Sequence, residues 1–362
     1  MRIAQVSTLA SPVRPDNSHS VEQIVWLLTE QLVRMGHDVT VFACAGSQTS
    51  GRLIQTLPGP YARDGSPGNW QTCETINLCQ AIQRSDEFDV LHSHAYLWGL
   101  PLEPFSKSPM VHTLHIQPFQ DEAILRRSAP RACVTAISQA QWKAFPDLAA
   151  STPVIHHAVD PAQFTFRARP DDYVCFLGRM IPEKGVLAAI EVAKRTRMRL
   201  LLAGPENEYF RRHVLPLVDG RDVQYVGSVT GAARDRLLGG ARALLYPITQ
   251  PEPFGLVLAE AMMCGTPVAA MALGAATEII DEGITGYCAD SLDELADCLL
   301  LATALDRHAV RLRAHERFHP LRMAQQYLQV YQRAIEAFAA DRDPGDSAVA
   351  VHDWQQPQGV ES

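Results

Sequence analysis

Glu252 and Glu260 close the two ends of a mostly apolar run, PEPFGLVLAE, with Pro253, Phe254 and Gly255 between them. Leu256, Val257, Leu258, Ala259, Ala261, Met262 and Met263 leave no polar face on a helix through this stretch. A helix that is apolar all round is buried, and a buried carboxylate needs a specific partner. The start of such a helix supplies one kind of site. Phe254, Gly255 and Leu256 would present backbone N–H groups without intrahelical acceptors, a ready anion site at the positive end of the helix dipole. Gly255 would let a ligand approach the backbone closely. Glu260 lies about 7.5 Å further along at 1.5 Å per residue. A diphosphate at the helix start would therefore bring an attached ribose near Glu260, whose carboxylate can accept from both ribose hydroxyls. Glu252 would face the other end of the ligand. A second stretch, FLGRMIPEKG, puts Arg179 and Lys184 in a loop directly after a strand pattern. Two cations at the carboxyl end of a strand suit the same anion.

The elements that must position these residues alternate between short apolar runs and helical periodicity. RIAQVS is followed by Val21, Ile24, Val25, Leu28 and Leu32 at helical spacing, with Gly36 where a helix C-terminus takes a left-handed residue. DVTVFAC, FDVLHSH, MVHTLHI, ACVTAIS and PVIHHAV read as further strands. A second series opens at DYVCFLGR and continues through a helix near 185–196, RLLLAG, DVQYVG, ARALLYP and PVAAM. This β-α-β order predicts an α/β fold of two doubly wound parallel-sheet domains. The boundaries are placed at 1–163 and 164–319, with a helix at 320–340 returning toward the first domain and a polar, flexible tail at 341–362. Ligands of such sheets bind beyond the strands' carboxyl ends, so the cleft between the domains is the expected site.

Composition narrows the partners. The net charge is −8, and residues 1–165 hold 11 Lys and Arg against 14 Asp and Glu, so neither nucleic acid nor an anionic membrane is an expected partner. The Arg126-Arg127 pair reads as a solvated face. Eight cysteines without a C-x-x-C pair, among them Cys44, Cys133, Cys175 and Cys264 in apolar segments, read as small buried hydrophobes in a reducing compartment. With no apolar leader and no run of about 18 apolar residues, a cytoplasmic protein is expected.

EPFGLVLAE with its E-x7-E frame, followed by CGTPV and accompanied by GRMIPEKG, QYVG, TEIIDEGITG and LTEQLVRMGHDVTVFA, resembles the family 4 retaining glycosyltransferases of the GT-B fold. The resemblance extends over most of the chain. It implies two Rossmann-like domains facing a cleft. It further implies that Glu260 holds the donor ribose, that Glu252 contacts the transferred sugar, and that Arg179 and Lys184 neutralise the diphosphate. Gly178, Pro253, Phe254, Gly255 and Leu256 complete the donor site. His115 matches a histidine that lines the donor sugar, although Ile116 stands where the family has glycine.

Strand alternation would put His92 with His94, and His112 with His115, on common faces. No acidic residue completes a ligand set nearby, so neither a metal nor another cofactor is expected. DEFD, the nearest approach to a D-x-D motif, reads as the solvated cap of a strand. Three departures from the family fall around the cleft. His19 and Ser20 replace a Gly-Gly pair just before Glu22, His157-Ala158 replaces His-Gly, and Leu273-Gly274 replaces Gly-Gly. His19, Ser20 and Glu22 are accordingly assigned to the acceptor side.

The expected activity is transfer of a hexose, with retention and without a metal, from a nucleoside-diphosphate sugar, UDP-linked by preference. The acceptor would be a small molecule or a saccharide. The alternative is a catalytically weak nucleotide-sugar-binding protein of the same fold. A dinucleotide oxidoreductase is disfavoured because no G-x-G-x-x-G follows the first strand.

Overall fold

The computed structural model describes residues 1–16, 19–61, 69–117, 128–129, 132–145 and 152–341. The Arg126-Arg127 pair and the tail beyond residue 341 lie outside them. Among the described residues two six-stranded sheets form, and every strand pairing is parallel. The first contains β1 (Arg2–Val6), β2 (Asp38–Cys44), β3 (Arg52–Leu57), β4 (Val90–Ser93), β5 (Met110–Thr113) and β6 (Cys133–Thr135), in the order β3-β2-β1-β4-β5-β6. The second contains β7 (Val174–Leu177), β8 (Leu200–Ala203), β9 (Val223–Tyr225), β10 (Leu244–Tyr246), β11 (Val268–Met271) and β12 (Gly286–Ala289), in the order β12-β11-β10-β7-β8-β9. Each sheet thus reverses direction beside its own first strand, opening a crevice at β1/β4 and another at β7/β10.

Buried aliphatic positions explain why these segments form strands and helices. Val39, Val41 and Phe42 of β2 are fully or nearly fully buried, as central parallel strands require. Helix Ser20–Arg34 buries Ile24, Val25, Leu28 and Leu32 on one face. It ends where Gly36, at φ +85°, donates its N–H to Val33 while His37 donates to Leu32. Two strands escape the sequence pattern. The edge strand β3 is half exposed along its length, and β12 is a four-residue edge. PVIHHAV, expected as a strand, contributes only an isolated bridge from Val154 to Ala136. All eight cysteines are free, and Cys133 is half-buried rather than buried.

Helix Pro320–Asp341 seals the first sheet. Met323, Ala324, Tyr327, Val330, Tyr331 and Ala334 join the cluster formed by Ile3, Ile24, Leu28 and Val111. The chain has by then passed through the second domain, so this helix ties its end to the first. Tyr331 is fully buried, and its hydroxyl sits between Gln5 and His92. Tyr331→Ala is therefore expected to destabilise the first domain by roughly 3–5 kcal/mol, read as a lower urea midpoint in tryptophan fluorescence, to which Trp26, Trp70, Trp98 and Trp142 of that domain contribute. An unchanged midpoint would mean that the helix is not part of the first domain's core.

Candidate active site in the interdomain cleft

The carboxyl ends of β7 and β10 deliver the two loops that carry charge into the cleft. After β7 the chain turns through Gly178 and exposed Arg179 to a short turn, Pro182–Lys184, and then Gly185 at φ +71°. A Cβ at Gly185 would lie 1.7 Å from the Pro247 carbonyl oxygen, so only glycine lets the two loops pack together. After β10 the chain runs from Tyr246 to Glu252 and enters helix Leu256–Met263 through Gly255, also left-handed at φ +81°. Gly274 locks the second loop from below. A Cβ there would meet the Glu252 backbone N at 2.5 Å and O at 2.4 Å, and Ala275 N–H donates to that oxygen at 3.0 Å.

These loops place the expected residues around a single cavity of about 700 Å³. Gly178, Arg179, Lys184, Glu252, Pro253, Phe254, Gly255, Leu256 and Glu260 line it from the second domain, and His115, His19 and Ser20 from the first. Lys184 Nζ pairs with Glu252 Oε1, and the Tyr246 hydroxyl donates to Glu252 Oε2 at 2.5 Å. Burial and the Glu252 charge push the Tyr246 phenol well above its ordinary range, so it acts as a fixed donor.

Glu260 is 4% exposed, and its protein partner is one that sequence reasoning missed. Arg234, on helix Gly231–Gly240, reaches Glu260 Oε1 with Nη1 at 2.9 Å and also lines the cavity. Burial raises the Glu260 carboxyl above its ordinary value, and the Arg234 charge opposes that rise. The specific partner that a buried carboxylate needs is thus present within the protein, beside the cavity where a ribose was expected. Arg234 sits in AARDRLLGG, an ordinary surface-helix pattern that carried no signal.

Glu22 departs further from expectation. It is 1% exposed and does not line the cavity; the neighbouring Gln23 does. Its Oε1 accepts from Ser11 N–H at 3.0 Å, and it lies near Glu74 of helix Trp70–Gln83, whose Oε1 accepts from Leu9 N–H at 2.9 Å. Glu22 follows a helix face that turns into the domain, so its side chain supports the loop after β1 rather than the cleft. Burial holds both carboxyls above their ordinary values, Glu74 at about 8.

The histidines also sort differently from the alternation argument. His92 and His94 do share a face, with ring centroids 4.0 Å apart. His112 and His115 do not: they are three positions apart, an odd offset that alternation sends to opposite faces, and β5 ends at Thr113. His112 turns toward Gly99 and Glu103, whereas His115 faces His94 and His157 at the cleft. Burial and neighbouring imidazoles push His94 and His115 well below the usual histidine range, and His157 to about 3. Among the described residues no cluster of three or more His, Cys, Asp or Glu side chains could hold a metal ion, and no helix is long and apolar enough to cross a membrane.

Across the cleft, Glu278 of the second domain accepts from Gln139 N–H (2.8 Å) and Ala140 N–H (3.2 Å), at the start of helix Gln139–Ala144 in the first. His156 Nε2 lies 2.6 Å from the same carboxylate. Burial raises the Glu278 carboxyl, but the hydrogen bonds from His156 and Gln139 outweigh it and hold it below its ordinary value.

The Glu74 environment makes a signed prediction. With the folded-state value near 8 and the unfolded value near 4.5, the folded chain binds the extra proton across that window. Stability is then lost as pH rises from about 4.5 through about 8. Glu74→Gln removes this loss and keeps an acceptor for Leu9. Its melting temperature relative to the parent should therefore climb steadily between pH 5 and pH 8; a pH-independent difference would contradict the assignment.

The chain matches two family models, Glycosyltransferase Family 4 over residues 21–163 and Glycosyl transferases group 1 over residues 162–316. The D-inositol 3-phosphate glycosyltransferase of Mycolicibacterium smegmatis is 26% identical over 412 residues, covering 96% of this chain and 94% of that one. Sucrose-phosphate synthase from Thermosynechococcus elongatus has the same fold with a TM-score of 0.76 at 21% identity, covering 93% of this chain and 99% of its own. Anabaena HepE, solved with UDP and glucose, gives 0.71 at 22% identity, covering 92% and 100%. The two models together span residues 21–316, most of the chain, and the two sheets build the GT-B architecture: the chain belongs to the family 4 glycosyltransferases, group 1 type.

Proposed function

We propose that the chain moves a hexose, with retention of configuration, from a nucleoside-diphosphate sugar to a hydroxyl of a small-molecule or saccharide acceptor. UDP is the favoured nucleotide. The observation that carries this reading is the row Glu260, helix start at Phe254–Leu256, Glu252 along one wall of one cavity. Glu260, its charge balanced by Arg234, takes the ribose hydroxyls. The helix N-terminus, Arg179 and Lys184 take the diphosphate, and Glu252 meets the sugar. HepE of Anabaena, a structural relative, was solved with UDP and glucose, which supports the choice of UDP.

In the reaction the acceptor oxygen forms a bond to the sugar's C1 on the face that the leaving phosphate vacates. The C1–O bond to the diphosphate breaks with its electron pair, and the acceptor's proton passes to a phosphate oxygen. Electrostatic stabilisation of the departing diphosphate is the protein's main contribution. Arg179, Lys184 and the helix amides supply positive charge where it develops, so we propose that no metal is required. His19 and Ser20, on the opposite wall, bear on the acceptor. A protein that binds donor but releases no nucleotide with any acceptor would fit the catalytically weak alternative instead.

Arg179→Ala removes a charge-assisted contact worth roughly 1.5–3 kcal/mol. Felt at the transition state, this lowers turnover roughly ten- to hundred-fold, and unchanged nucleotide release would remove Arg179 from the site. The glutamates should separate in calorimetry with UDP. Glu260→Gln is expected to weaken UDP binding, because the ribose is common to UDP and the sugar donor. Glu252→Gln should leave UDP affinity nearly intact while slowing transfer. Equal losses in both would reverse or abolish the proposed direction of the ligand.

A further inference from the structure

The first-domain wall of the cleft ends a chain of buried hydrogen bonds whose donors and acceptors follow from one amide. Gln5 donates through Nε2 to the Tyr331 hydroxyl at 3.0 Å and accepts at Oε1 from His94 Nε2 at 2.7 Å. The Tyr331 proton then goes to His92 Nδ1 at 2.7 Å, and His92 Nε2–H to Thr113 Oγ1 at 2.7 Å. On the other branch, a neutral His94 that donates from Nε2 has a bare Nδ1. That nitrogen accepts from His115 Nε2–H at 3.0 Å, and the bare His115 Nδ1 accepts from His157 Nε2–H at 3.3 Å. The order terminates at His157 Nδ1, a lone pair without a partner among the described residues.

His157 is 5% exposed and lines the cavity, stacked on His115 and packed against the tilted ring of Phe254, with both ring centroids 5.1 Å away. Its neighbour His156 is held by Glu278, which fixes the backbone at this point. A buried acceptor left unmatched is costly, and the chemistry of this one is selective. A bare imine nitrogen repels a phosphate oxygen and takes a hydroxyl or amine proton. Phe254 stands two positions after Glu252, on the Glu252 side of the helix start and away from Glu260.

We propose that His157 is a sugar-binding residue: its Nδ1 accepts a hydrogen bond from a hydroxyl of the transferred hexose, in a tautomer set through His115 and His94 by Gln5. The assignment rests on the nucleotide-sugar reading above. It makes the histidine chain a device for presenting one defined acceptor to a sugar hydroxyl.

Two substitutions and two ligands test it. His157→Asn keeps a polar atom where Nδ1 lies but no longer reaches His115; His157→Gln reaches His115 and leaves nothing at Nδ1. Calorimetry with UDP and with UDP-glucose should show UDP affinity unchanged in both variants. Affinity for UDP-glucose should fall about ten-fold in His157→Gln and by less than about three-fold in His157→Asn, as for loss and retention of one hydrogen bond. Unchanged UDP-glucose affinity in His157→Gln, or equal losses in the two variants, would overturn the assignment while leaving the nucleotide site standing. A parent protein that binds neither ligand would overturn both. Nitrogen NMR of the ¹⁵N-histidine-labelled parent protein gives a readout that needs no variant. His157 Nδ1 should resonate as an unprotonated nitrogen and shift with UDP-glucose but not with UDP, and a protonated Nδ1, or no selective shift, would also overturn the assignment.

Discussion

A carboxylate at Glu260 inside the apolar helix Leu256–Met263 is the constraint around which the second domain's half of the cleft is arranged. An uncompensated charge at 4% exposure would be strongly destabilising. Arg234 compensates it at 2.9 Å and so draws helix Gly231–Gly240 against the site. The same short helix sets its other end through Gly255, whose left-handed backbone lets the chain enter beside the Tyr246 hydroxyl. Tyr246 in turn holds Glu252. One eight-residue helix thus spaces two carboxylates about its own start, and the loop after β7 brings Arg179 and Lys184 to the same cavity from the adjacent strand end.

The two walls of the cleft differ in kind. The second domain presents charge: Arg179, Lys184, Glu252, Arg234 and Glu260 all border the cavity. The described part of the first presents neutral polar groups, His115, His157, Ser20 and Gln23 among them, with the imidazoles of His115 and His157 held uncharged by burial. Its own buried acids, Glu22 and Glu74, are turned inward under the loop after β1. The cleft therefore sets a charged wall, able to balance an anion, against a wall of uncharged hydrogen-bonding groups.

What was legible in the sequence follows from how locally each feature is encoded. The parallel strands and their order of appearance were legible because each is a contiguous apolar run, except β3 and β12, edge strands with too little buried surface to leave a pattern. That Arg179, Lys184, Glu252 and Glu260 share one cavity was legible because they fall in two short segments at the ends of adjacent strands. Arg234 was not, since its role exists only through a contact 26 positions away in the chain. Glu22 was misassigned for a related reason: its place in the first turn of a helix was visible, but the direction of its side chain was set by Ser11 and by packing near Glu74. The pairing of His112 with His115 misapplied the alternation, since an offset of three puts two strand residues on opposite faces, and the strand also stops between them.

The C-terminal helix connects these local facts into a longer dependence. Tyr331 and Tyr327 enter the first domain only after the chain has completed the second, yet they contact the residues behind the cleft wall. Gln5 on β1, His92 after β4 begins, and Tyr331 near the end of the described chain meet at one buried point, 326 positions apart at the extremes. A hydroxyl there is both donor and acceptor, so it can join an amide N–H to an imidazole lone pair without leaving either unsatisfied. Phenylalanine would fill the same volume but break that relay of proton positions. The requirement for tyrosine at this place is therefore electronic as well as steric, and it links the last helix of the fold to the hydrogen-bonding character of His115 and His157 in the cleft.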